Sequence, residues 1–478
     1  MIRRYVAVDL GAESGRVIVG QLDNGLNFEV ISRFPSRTTR IQGTLYWDIL
    51  YIFEQIKQGL AKAVSSYGRE IVSIGVDTWG VDYGLIDSRG RLMASPVHYR
   101  DDRTDGMMDE VFSRISREQI YSETGIQFMQ INTLFQLAAE AEQNREGLAR
   151  AERVLMIPDL LNYWLSGIMA NEYSIATTSQ LYNPVKRCWS RPIFEALKLE
   201  PSLFTDVVMP GTVLGPLRPD LAKEIGAEHQ ILVAAVACHD TASAVAAVPS
   251  RPGEEGAYLS SGTWSLLGIE SPEAIISPRS LGANITNEGA ADGGIRFLKN
   301  IMGLWILQEC RRSWEADGDS IDYSTLSREA AEARDHEYKL NVDDSRFLKP
   351  GRADDSMPQR ILEYCAETGQ PAPRTPPEFA RGIFRGLAAA YGRSLEEISG
   401  VSGRDIHTLH IIGGGCQNRF LNQLTADVAG IPVSAGPVEA TALGNIMLQA
   451  IASGDLKNLQ EGRDLIGAGG DIETFTPA

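Results

Sequence analysis

The sequence places an ionisable pair inside an otherwise apolar run. His239 and Asp240 interrupt the stretch 231–248, and a carboxylate in such surroundings is costly unless it is paired or faces a site. At the end of a strand, Asp240 could accept the proton of a sugar hydroxyl whose oxygen attacks the γ-phosphate of ATP. The alternative is that Asp240 caps a helix that begins near Thr241. We favour the first interpretation and keep the second open.

A second candidate is the octamer 9–16, in which Asp9 ends a short apolar strand and a turn with Gly11, Ser14 and Gly15 follows. Such a turn can direct backbone N–H groups at phosphate oxygens, while the carboxylate holds a hydrated Mg²⁺. An ordinary hairpin turn with a capping aspartate explains this octamer equally well.

Two further turns could contact a nucleotide. Residues 260–264 (Ser-Ser-Gly-Thr-Trp) offer hydroxyl groups and a glycine, although serine and glycine turns are common. Residues 413–415 are three successive glycines after a strand, which would let a base or ribose approach the backbone closely. Position 418 is Asn, so the dinucleotide-binding pattern Gly-x-Gly-x-x-Gly is not matched.

A neutral polyol needs hydrogen-bonding side chains and an aromatic wall. Residues 78–82 (Thr-Trp-Gly-Val-Asp) and 99–103 (Tyr-Arg-Asp-Asp-Arg) follow apolar segments and offer both. Each group could equally be a surface cluster of salt bridges.

The elements that carry these residues alternate between strands and helices. Strand-like runs at 6–10, 16–22 and 28–34 predict an antiparallel meander, and Asp48 is a plausible N-cap for a helix with apolar residues at helical spacing. A buried strand is expected at 71–76. This order predicts an α/β fold of mixed sheets packed with helices.

The pattern recurs in the second half of the chain. Residues 255–269 again predict strand, glycine turn and strand, and a strand at 408–412 precedes a helix at 418–429. We therefore expect two duplicated domains, 1–245 and 254–478, with the boundary near 249–253. The polar stretch 317–375 shows little periodicity, and we expect surface insertions there.

Composition limits the classes of function. The 478 residues include 62 acidic and 45 basic side chains, giving a net charge of −17, which disfavours nucleic acid as a partner. The five cysteines are widely spaced and never form a Cys-x-x-Cys pair, which favours a reducing, cytoplasmic setting. Neither the first apolar run nor 231–248 is long and uninterrupted enough to predict a membrane span or a signal segment.

Taken together, these motifs resemble the rhamnulokinase group of the FGGY carbohydrate kinases. The strings that carry the resemblance occur in the same order and cover essentially the whole chain: Val-Ala-Val-Asp9-Leu-Gly, Gly75-Val-Asp77-Thr-Trp79-Gly80-Val-Asp82, His239-Asp240-Thr241-Ala-Ser-Ala-Val, Tyr258-Leu-Ser-Ser-Gly-Thr-Trp264-Ser, Asn300-Ile-Met-Gly-Leu-Trp305 and Gly413-Gly-Gly-Cys-Gln-Asn418. The Phe-Gly-Gly-Tyr string that names the wider family is absent.

The resemblance implies two actin-like, ribonuclease H-like domains, each a mixed β-sheet flanked by helices, with ATP and sugar meeting in the cleft between them. It implies Asp240 as the proton acceptor and Asp9 on the metal side. It further implies sugar contacts from Gly80, His239, Asp240, Thr241 and Asn300, and nucleotide contacts from Ala12, Glu13, Ser14, Gly15, Arg16, Thr263, Gln308 and Gly414.

By the same resemblance, the expected reaction is transfer of the γ-phosphoryl group of ATP, with Mg²⁺, to O1 of L-rhamnulose. The expected partners are the sugar and ATP, with no nucleic acid and no membrane, in a monomer or small homo-oligomer. Two alternatives stay open. One is a kinase for another deoxyketose such as L-fuculose, and the other is a non-catalytic actin-like sensor of sugar and nucleotide.

Overall fold

The computed structural model describes residues 2–22, 25–251, 253–334, 338–351, 355–469 and 472–478. The predicted boundary segment 249–253 and the polar stretch 317–375 therefore each contain residues outside the described ranges. The chain forms two compact units. The first comprises Met1–Pro252, Glu270–Phe297 and Ala440–Gly469, and the second comprises Gly253–Ile269, Leu298–Glu439 and Gly470–Ala478.

Within the described ranges the strands are β1 (Arg4–Leu10), β2 (Ser14–Leu22), β3 (Leu26–Pro35), β4 (Thr38–Ile41), β5 (Thr44–Trp47), β6 (Ile71–Thr78), β7 (Tyr83–Asp87), β8 (Ala151–Met156), β9 (Asn171–Glu172), β10 (Tyr182–Asn183), β11 (Cys188–Trp189), β12 (Val207–Val208), β13 (Thr212–Pro216), β14 (Leu232–Ala235), β15 (Gly256–Ser261), β16 (Trp264–Ser271), β17 (Thr286–Gly289), β18 (Ile295–Met302), β19 (Thr408–Ile412), β20 (Val433–Ala435) and β21 (Glu473–Phe475).

The α-helices of the same ranges are α1 (Ile49–Tyr67), α2 (Met107–Phe112), α3 (Arg117–Thr124), α4 (Thr133–Gln143), α5 (Arg145–Leu148), α6 (Ile157–Ser166), α7 (Tyr173–Thr178), α8 (Arg191–Leu197), α9 (Pro219–Glu224), α10 (Asp240–Ala246), α11 (Pro278–Gly282), α12 (Trp305–Ala316), α13 (Tyr323–Glu332), α14 (Met357–Glu367), α15 (Pro376–Ser402), α16 (Arg419–Ala429), α17 (Ala440–Ala452) and α18 (Leu459–Gly469). None of them is both long and apolar enough to cross a lipid bilayer.

The first unit is built on a mixed sheet whose described strands pair in the order β13-β14-β6-β1-β2-β3. The predicted meander is confirmed, because β1, β2 and β3 pair antiparallel. β6 runs parallel to both β1 and β14. The predicted cap of α1 is also confirmed, since the carboxylate of Asp48 accepts a hydrogen bond from the N–H of Tyr51 at 3.2 Å.

Two helices cover opposite faces of this sheet. Gly59 of α1 lies against Val17, so tightly that a Cβ at Gly59 would clash with that side chain. Gly20 comes three residues after Val17 in β2 and therefore points to the other face of the sheet. There it lies against Ile446 of α17, so tightly that a Cβ at Gly20 would clash with that side chain. The first unit therefore has helix, sheet and helix layers, and α17 reaches it from near the end of the chain.

A second sheet has the order β17-β18-β16-β15-β19-β20-β21 among the described strands. β15 pairs antiparallel with β16 and parallel with β19, and β20 then pairs parallel with β19 and antiparallel with β21. The first sheet shows the same succession in β2-β1-β6-β14-β13. The predicted duplication is therefore visible in strand pairing, although few residues repeat.

The expectation of surface insertions at 317–375 is wrong for the described part of that stretch. It forms α13 and α14, and several of its apolar side chains, including Leu326, Phe347 and Ile361, are fully buried. Both helices are short, and charged residues separate their apolar positions, so periodicity over a longer window is weak.

Candidate active site

Three aspartates lie at or just beyond the carboxyl ends of the parallel strands of the first unit. Asp9 and Asp77 are direct register partners in β1 and β6, and Asp240 comes five residues after β14, the next strand of the sheet. Because parallel strands end at one edge of a sheet, the fold gathers these carboxylates. Burial raises the pKa of Asp77, and the negative charges of Asp9 and Asp240 raise it further.

Asp9 and Arg16 form an ion pair across the hairpin of β1 and β2, where they are register partners. The hairpin turn between them is held by Ser36, whose hydroxyl donates to Gly11 O at 2.8 Å and whose N–H donates to Glu13 O at 3.0 Å. The predicted phosphate residues 12–16 thus lie in this turn and in the first three residues of β2, beside Asp9.

Packing accounts for one glycine of this turn without any ligand. A Cβ on Gly15 would lie 2.5 Å from both Leu10 and Phe34. A Cβ on Gly11 would find its nearest neighbour among the described residues, Ser14 O, at 3.4 Å. Gly11 is therefore the glycine of this hairpin that has room for an approaching phosphate.

Asp240 is the first residue of α10. Its Oδ1 accepts hydrogen bonds from the N–H of Thr241 at 2.6 Å and from the Thr241 hydroxyl at 3.2 Å. The side chain nevertheless stays 29% exposed, and burial raises the pKa of Asp240 above its ordinary value. The N-cap of α10 is His239, so the alternative in which Asp240 caps the helix is wrong by one residue. The Asp240 carboxylate lies in the first helical turn and keeps an accessible edge.

His239 lies between Asp240 and a buried ion pair. Its Nε2 is 3.5 Å from Oδ1 of Asp240, and its Nδ1 is 3.0 Å from Nη2 of Arg296 and 3.4 Å from Oε2 of Glu288. A Cβ on Gly80 would lie 3.5 Å from the His239 ring. The structure therefore brings together the predicted sugar residues of the first unit.

Sequence reasoning missed Arg296 and Glu288. Arg296 is completely buried, contacts Oε2 of Glu288 at 3.1 Å, and donates from Nε to Gly289 O at 2.9 Å. The available signal was a lone arginine in the apolar strand β18, since a buried guanidinium requires partners.

A second buried carboxylate supports the segment that leads to His239. Oε2 of Glu172 accepts from the N–H of Cys238 at 3.0 Å, and the Ser174 hydroxyl donates to Glu172 while accepting from the N–H of His239 at 3.1 Å. Burial raises the pKa of Glu172 to about 7. This network fixes the path of the chain just before Asp240.

The expected aromatic wall is buried rather than a surface cluster of salt bridges. Trp47 and Trp79 stack with ring centroids 4.1 Å apart, and both indole N–H groups donate to Oδ2 of Asp82, at 2.6 and 3.0 Å. The N–H of Tyr99 donates to the same oxygen, and Gln136 donates to the other. Trp79 precedes Gly80 directly, so this cluster lies next to the predicted sugar residues.

In the second unit, the turn after β15 is covered by the segment that carries Asn300. Leu304 and Trp305 donate backbone hydrogen bonds to Gly262 O and Thr263 O, at 2.9 and 3.2 Å. Asn300 itself is half-buried in β18, and Gln308 lies in the first turn of α12. The structure thus packs the Thr263 turn directly against the start of α12.

The glycine turn after β19 lies at the same edge of the second sheet, because β15 and β19 are parallel neighbours. Gly413 has φ +80°, and Gly415 packs so closely on Ser261 that no Cβ would fit. A Cβ on Gly414, in contrast, would meet no neighbour within 4 Å among the described residues. The predicted nucleotide residues Thr263 and Gly414 therefore lie on adjoining turns.

Among the described residues, no group of three or more His, Cys, Asp or Glu side chains is arranged to hold a metal ion. Mg²⁺ usually keeps several waters and takes only one or two carboxylates together with substrate phosphates. Oδ1 of Asp77 is buried and, within the described chain, has no hydrogen-bond partner. The edge with Asp9 and Asp77 therefore fits a hydrated cation that is completed by phosphate oxygens.

The fold is that of sugar kinases of known structure. The chain superposes over its full length on 94% of a gluconate kinase from Lactobacillus acidophilus, with a TM-score of 0.79 at 15% identity. It superposes equally completely on 94% of a xylulose kinase from Rhodospirillum rubrum, with a TM-score of 0.77 at 18% identity. At such identities the likeness establishes the fold alone.

Family models for the N-terminal and C-terminal domains of the FGGY family of carbohydrate kinases match residues 4–247 and 257–453. The chain therefore belongs to the FGGY family of carbohydrate kinases.

Its similarity to curated relatives is specific within that family. The chain is 42% identical to a rhamnulokinase from Oceanobacillus iheyensis, over 98% of this chain and 97% of the relative. It is 44% identical to a rhamnulokinase from Bacteroides thetaiotaomicron, over 100% and 96% respectively, and 40% identical to one from Bacillus subtilis, over 99% and 95%.

Proposed function

We propose that this carbohydrate kinase is a rhamnulokinase, which transfers the γ-phosphoryl group of ATP to O1 of L-rhamnulose and releases ADP. The single structural observation that carries the proposal is the placement of Asp240 at the edge where β1, β6 and β14 end, beside His239. The relatives named above, matched over nearly their whole length, support the choice of sugar.

In this proposal Asp240 accepts the proton of the O1 hydroxyl as its oxygen attacks the γ-phosphorus. The support is chemical. Burial raises the pKa of Asp240, which makes the carboxylate a better proton acceptor than an exposed aspartate, while the exposed edge of the side chain leaves room for an alcohol.

We assign the remaining sugar contacts to His239, Thr241, Gly80 and Asn300. A ring N–H and a hydroxyl are suitable partners for the hydroxyl groups of a ketose, and Gly80 lies beside the His239 ring. The stacked Trp47 and Trp79 are buried next to Gly80, so they would support the proposed sugar site from behind rather than contact the sugar.

We assign the phosphates to the hairpin residues Ala12, Glu13, Ser14, Gly15 and Arg16 and to Thr263. Gln308 and Gly414 are assigned to the adenosine end, and Asp9 to the Mg²⁺ side. When bound, Mg²⁺ would bridge phosphate oxygens and neutralise charge on the transferring group. The guanidinium of Arg16, paired with Asp9, would lie where it can stabilise that charge as well.

We further propose that residues 1–245 serve mainly the sugar and residues 254–478 mainly the nucleotide. A cytoplasmic location, no nucleic-acid or membrane partner, and a monomer or small homo-oligomer remain part of the proposal. The spacing of the cysteines and the net charge of −17 support the first two points.

The decisive experiment is ADP release with a panel of L-rhamnulose, L-fuculose and D-xylulose, each with and without Mg²⁺. We expect the highest kcat/KM for L-rhamnulose and no turnover without the cation. A preference for L-fuculose would identify a kinase for another deoxyketose. ADP binding with no turnover of any ketose would instead favour the non-catalytic sensor.

A further inference from the structure

Helix α17 carries two buried amides on an otherwise apolar surface. Asn445 and Gln449 are four residues apart, so they share one helical face, and both side chains are completely buried against the first sheet. The proposed function does not use either residue. Buried amides in such a place need a full set of partners.

The hydrogen bonds of these two amides form a continuous series in which every donor-to-acceptor direction is the same. The Ser73 hydroxyl donates to Oε1 of Gln449 at 2.6 Å, Nε2 of Gln449 donates to Oδ1 of Asn445 at 2.7 Å, and Nδ2 of Asn445 donates to Oδ2 of Asp77 at 2.6 Å. The chain of hydrogen bonds therefore begins at β6 and ends on the Asp77 carboxylate.

Two backbone carbonyls fix the orientation of both amides. Nε2 of Gln449 also donates to Val6 O at 3.0 Å, and Nδ2 of Asn445 donates to Gly75 O at 3.2 Å. A carbonyl oxygen can only accept, so neither amide can be turned over without placing two acceptors together. The Asn445 side chain is thereby committed to donate to Asp77.

The sheet also makes room for this network. Ser73, Gly75 and Asp77 are every second residue of β6, so they all point to the face that α17 covers. A Cβ on Gly75 would lie 2.6 Å from Oδ1 of Asn445 and 2.9 Å from Nε2 of Gln449. A side chain at position 75 would push both amides away from the strand.

The other oxygen of Asp77 is left unused. Oδ1 is buried and has no hydrogen-bond partner among the described residues, although an unpaired buried acceptor normally costs stability. Asp9, the register partner of Asp77, points to the same face of the sheet.

We propose that Asp77 is a further carboxylate of the phosphoryl-transfer site, whose free oxygen binds a water of the hydrated divalent cation beside Asp9, and that Asn445 and Gln449 are its positioning residues. This inference rests on the proposed kinase function. With Asp9 and Asp77 as its two carboxylates, the cation would obtain its other ligands from water and phosphate, as is usual for Mg²⁺.

The test is binding of Mn²⁺, followed by electron paramagnetic resonance, to the full chain saturated with ADP. We expect Asp77→Asn to weaken Mn²⁺ binding by about tenfold or more, because partners around metal sites typically contribute 10–100-fold. Asn445→Ala should weaken it in the same direction. The affinity for ADP without metal should remain unchanged in both variants.

Asp159→Asn is the matched control. Asp159 is also a buried aspartate of the first unit with a raised pKa, and it also accepts from an asparagine, Asn171, at 3.0 Å. We expect the control to bind Mn²⁺ like the parent protein.

Unchanged Mn²⁺ affinity in folded Asp77→Asn would overturn the inference, and a lower melting temperature with unchanged Mn²⁺ affinity in Asn445→Ala would reduce Asn445 to a structural role. If Asp77→Asn did not fold, Asn445→Ala would decide alone. No sugar is present in this measurement, so failure of the sugar assignment would not affect it. A parent protein that did not bind Mn²⁺ and ADP would instead contradict the proposed function.

Discussion

Arg296 donates from Nη2 to Nδ1 of His239 over 3.0 Å. Because a guanidinium can only donate, Nδ1 of the imidazole is the acceptor and the proton of the neutral ring lies on Nε2. That nitrogen is the one that lies 3.5 Å from Oδ1 of Asp240. The buried Arg296 thus selects the tautomer of His239 that presents an N–H to the side of the proposed proton acceptor.

Arg296→Lys should therefore raise the KM for the ketose more than it lowers kcat. A lysine keeps the charge but cannot contact His239, Glu288 and Gly289 at once. We expect a rise in KM of about tenfold, equivalent to ~1.4 kcal/mol, measured by initial rates over a range of sugar concentrations.

Arg463→Lys is the matched control for that change. Arg463 pairs with Glu270 and donates to the carbonyls of Val245 and Ala246 at the other end of α10. The Arg463→Lys substitution should lower the melting temperature and leave the KM for the ketose unchanged. Equal changes of KM in both variants would show that loss of stability, not the orientation of His239, is being measured.

Asp240→Asn should lower kcat by about 10²–10⁴-fold, the usual contribution of a general base, with ADP binding unchanged. The raised pKa of Asp240 also sets a direction for pH. Since the base acts only when ionised, kcat/KM should fall, as pH decreases, at a pH above the pKa of an ordinary aspartate, about 3.9.

Asp220→Asn is the control for Asp240→Asn. It tests whether loss of an aspartate from the first turn of a helix is by itself enough to change the pH profile. Asp220 lies in the first turn of α9 and is exposed. Its replacement should leave the pH profile unchanged. Retained sugar phosphorylation in Asp240→Asn would contradict the proposed base.

The pKa of Glu172 predicts a pH dependence of stability. The pKa is raised from an ordinary 4.5 to about 7, so the folded state holds this proton more tightly than the unfolded state. The stabilisation is complete below pH 4.5 and is lost as pH rises to about 7, by ~3 kcal/mol. Glu172→Gln should make the melting temperature fall less steeply between pH 5 and 7.

Below pH 4.5 the absolute stability of Glu172→Gln should be lower than that of the parent protein, because the four hydrogen bonds to the carboxyl group come from donors and an amide N–H₂ would face one of them. The informative measurement is therefore the slope against pH, compared with the parent protein. Parallel curves for the two proteins would refute a raised pKa at Glu172.

Much of the first unit was predictable because its signals are local. The meander of β1 to β3, the Asp48 cap and the glycine turn after Asp9 each depend on residues a few positions apart. A helix beginning near Thr241 was also predicted as an alternative, although its N-cap is His239 and Asp240 is its first residue. The sequence could not show that the Asp240 carboxylate, although it lies in the first turn of α10, keeps an accessible edge.

The non-local parts escaped prediction for a physical reason. Nothing in residues 440–452 indicates that α17 covers a sheet that contains β6, although Asn445 contacts Asp77 of that strand 368 positions earlier. Two amides at i and i+4 in an apolar helix were the available signal. Likewise, the contact between Arg296 and His239 could not be predicted, because it depends on β18 lying beside His239 in the fold.

Gly414→Ala tests the nucleotide assignment in the second unit. The added methyl group would meet no heavy atom within 4 Å among the described residues, so folding should be unaffected while ADP binds about tenfold more weakly, ~1.4 kcal/mol. Isothermal titration calorimetry with ADP measures this directly.

Gly282→Ala is the corresponding control, since a Cβ there is equally free of neighbours within the described ranges and Gly282 ends α11 of the first unit. It should bind ADP like the parent protein. If Gly414→Ala also bound ADP normally, the base or ribose would not approach this turn.

The late position of α17 has a genetic consequence. A stop codon or frameshift shortly before Ala440 removes less than a tenth of the chain, yet it strips the Ser73 hydroxyl, the carbonyls of Val6 and Gly75 and the carboxylate of Asp77 of their partners. Such a truncated chain should not fold stably, even in its amino-terminal half. Late nonsense alleles of this gene should therefore behave as complete losses of function.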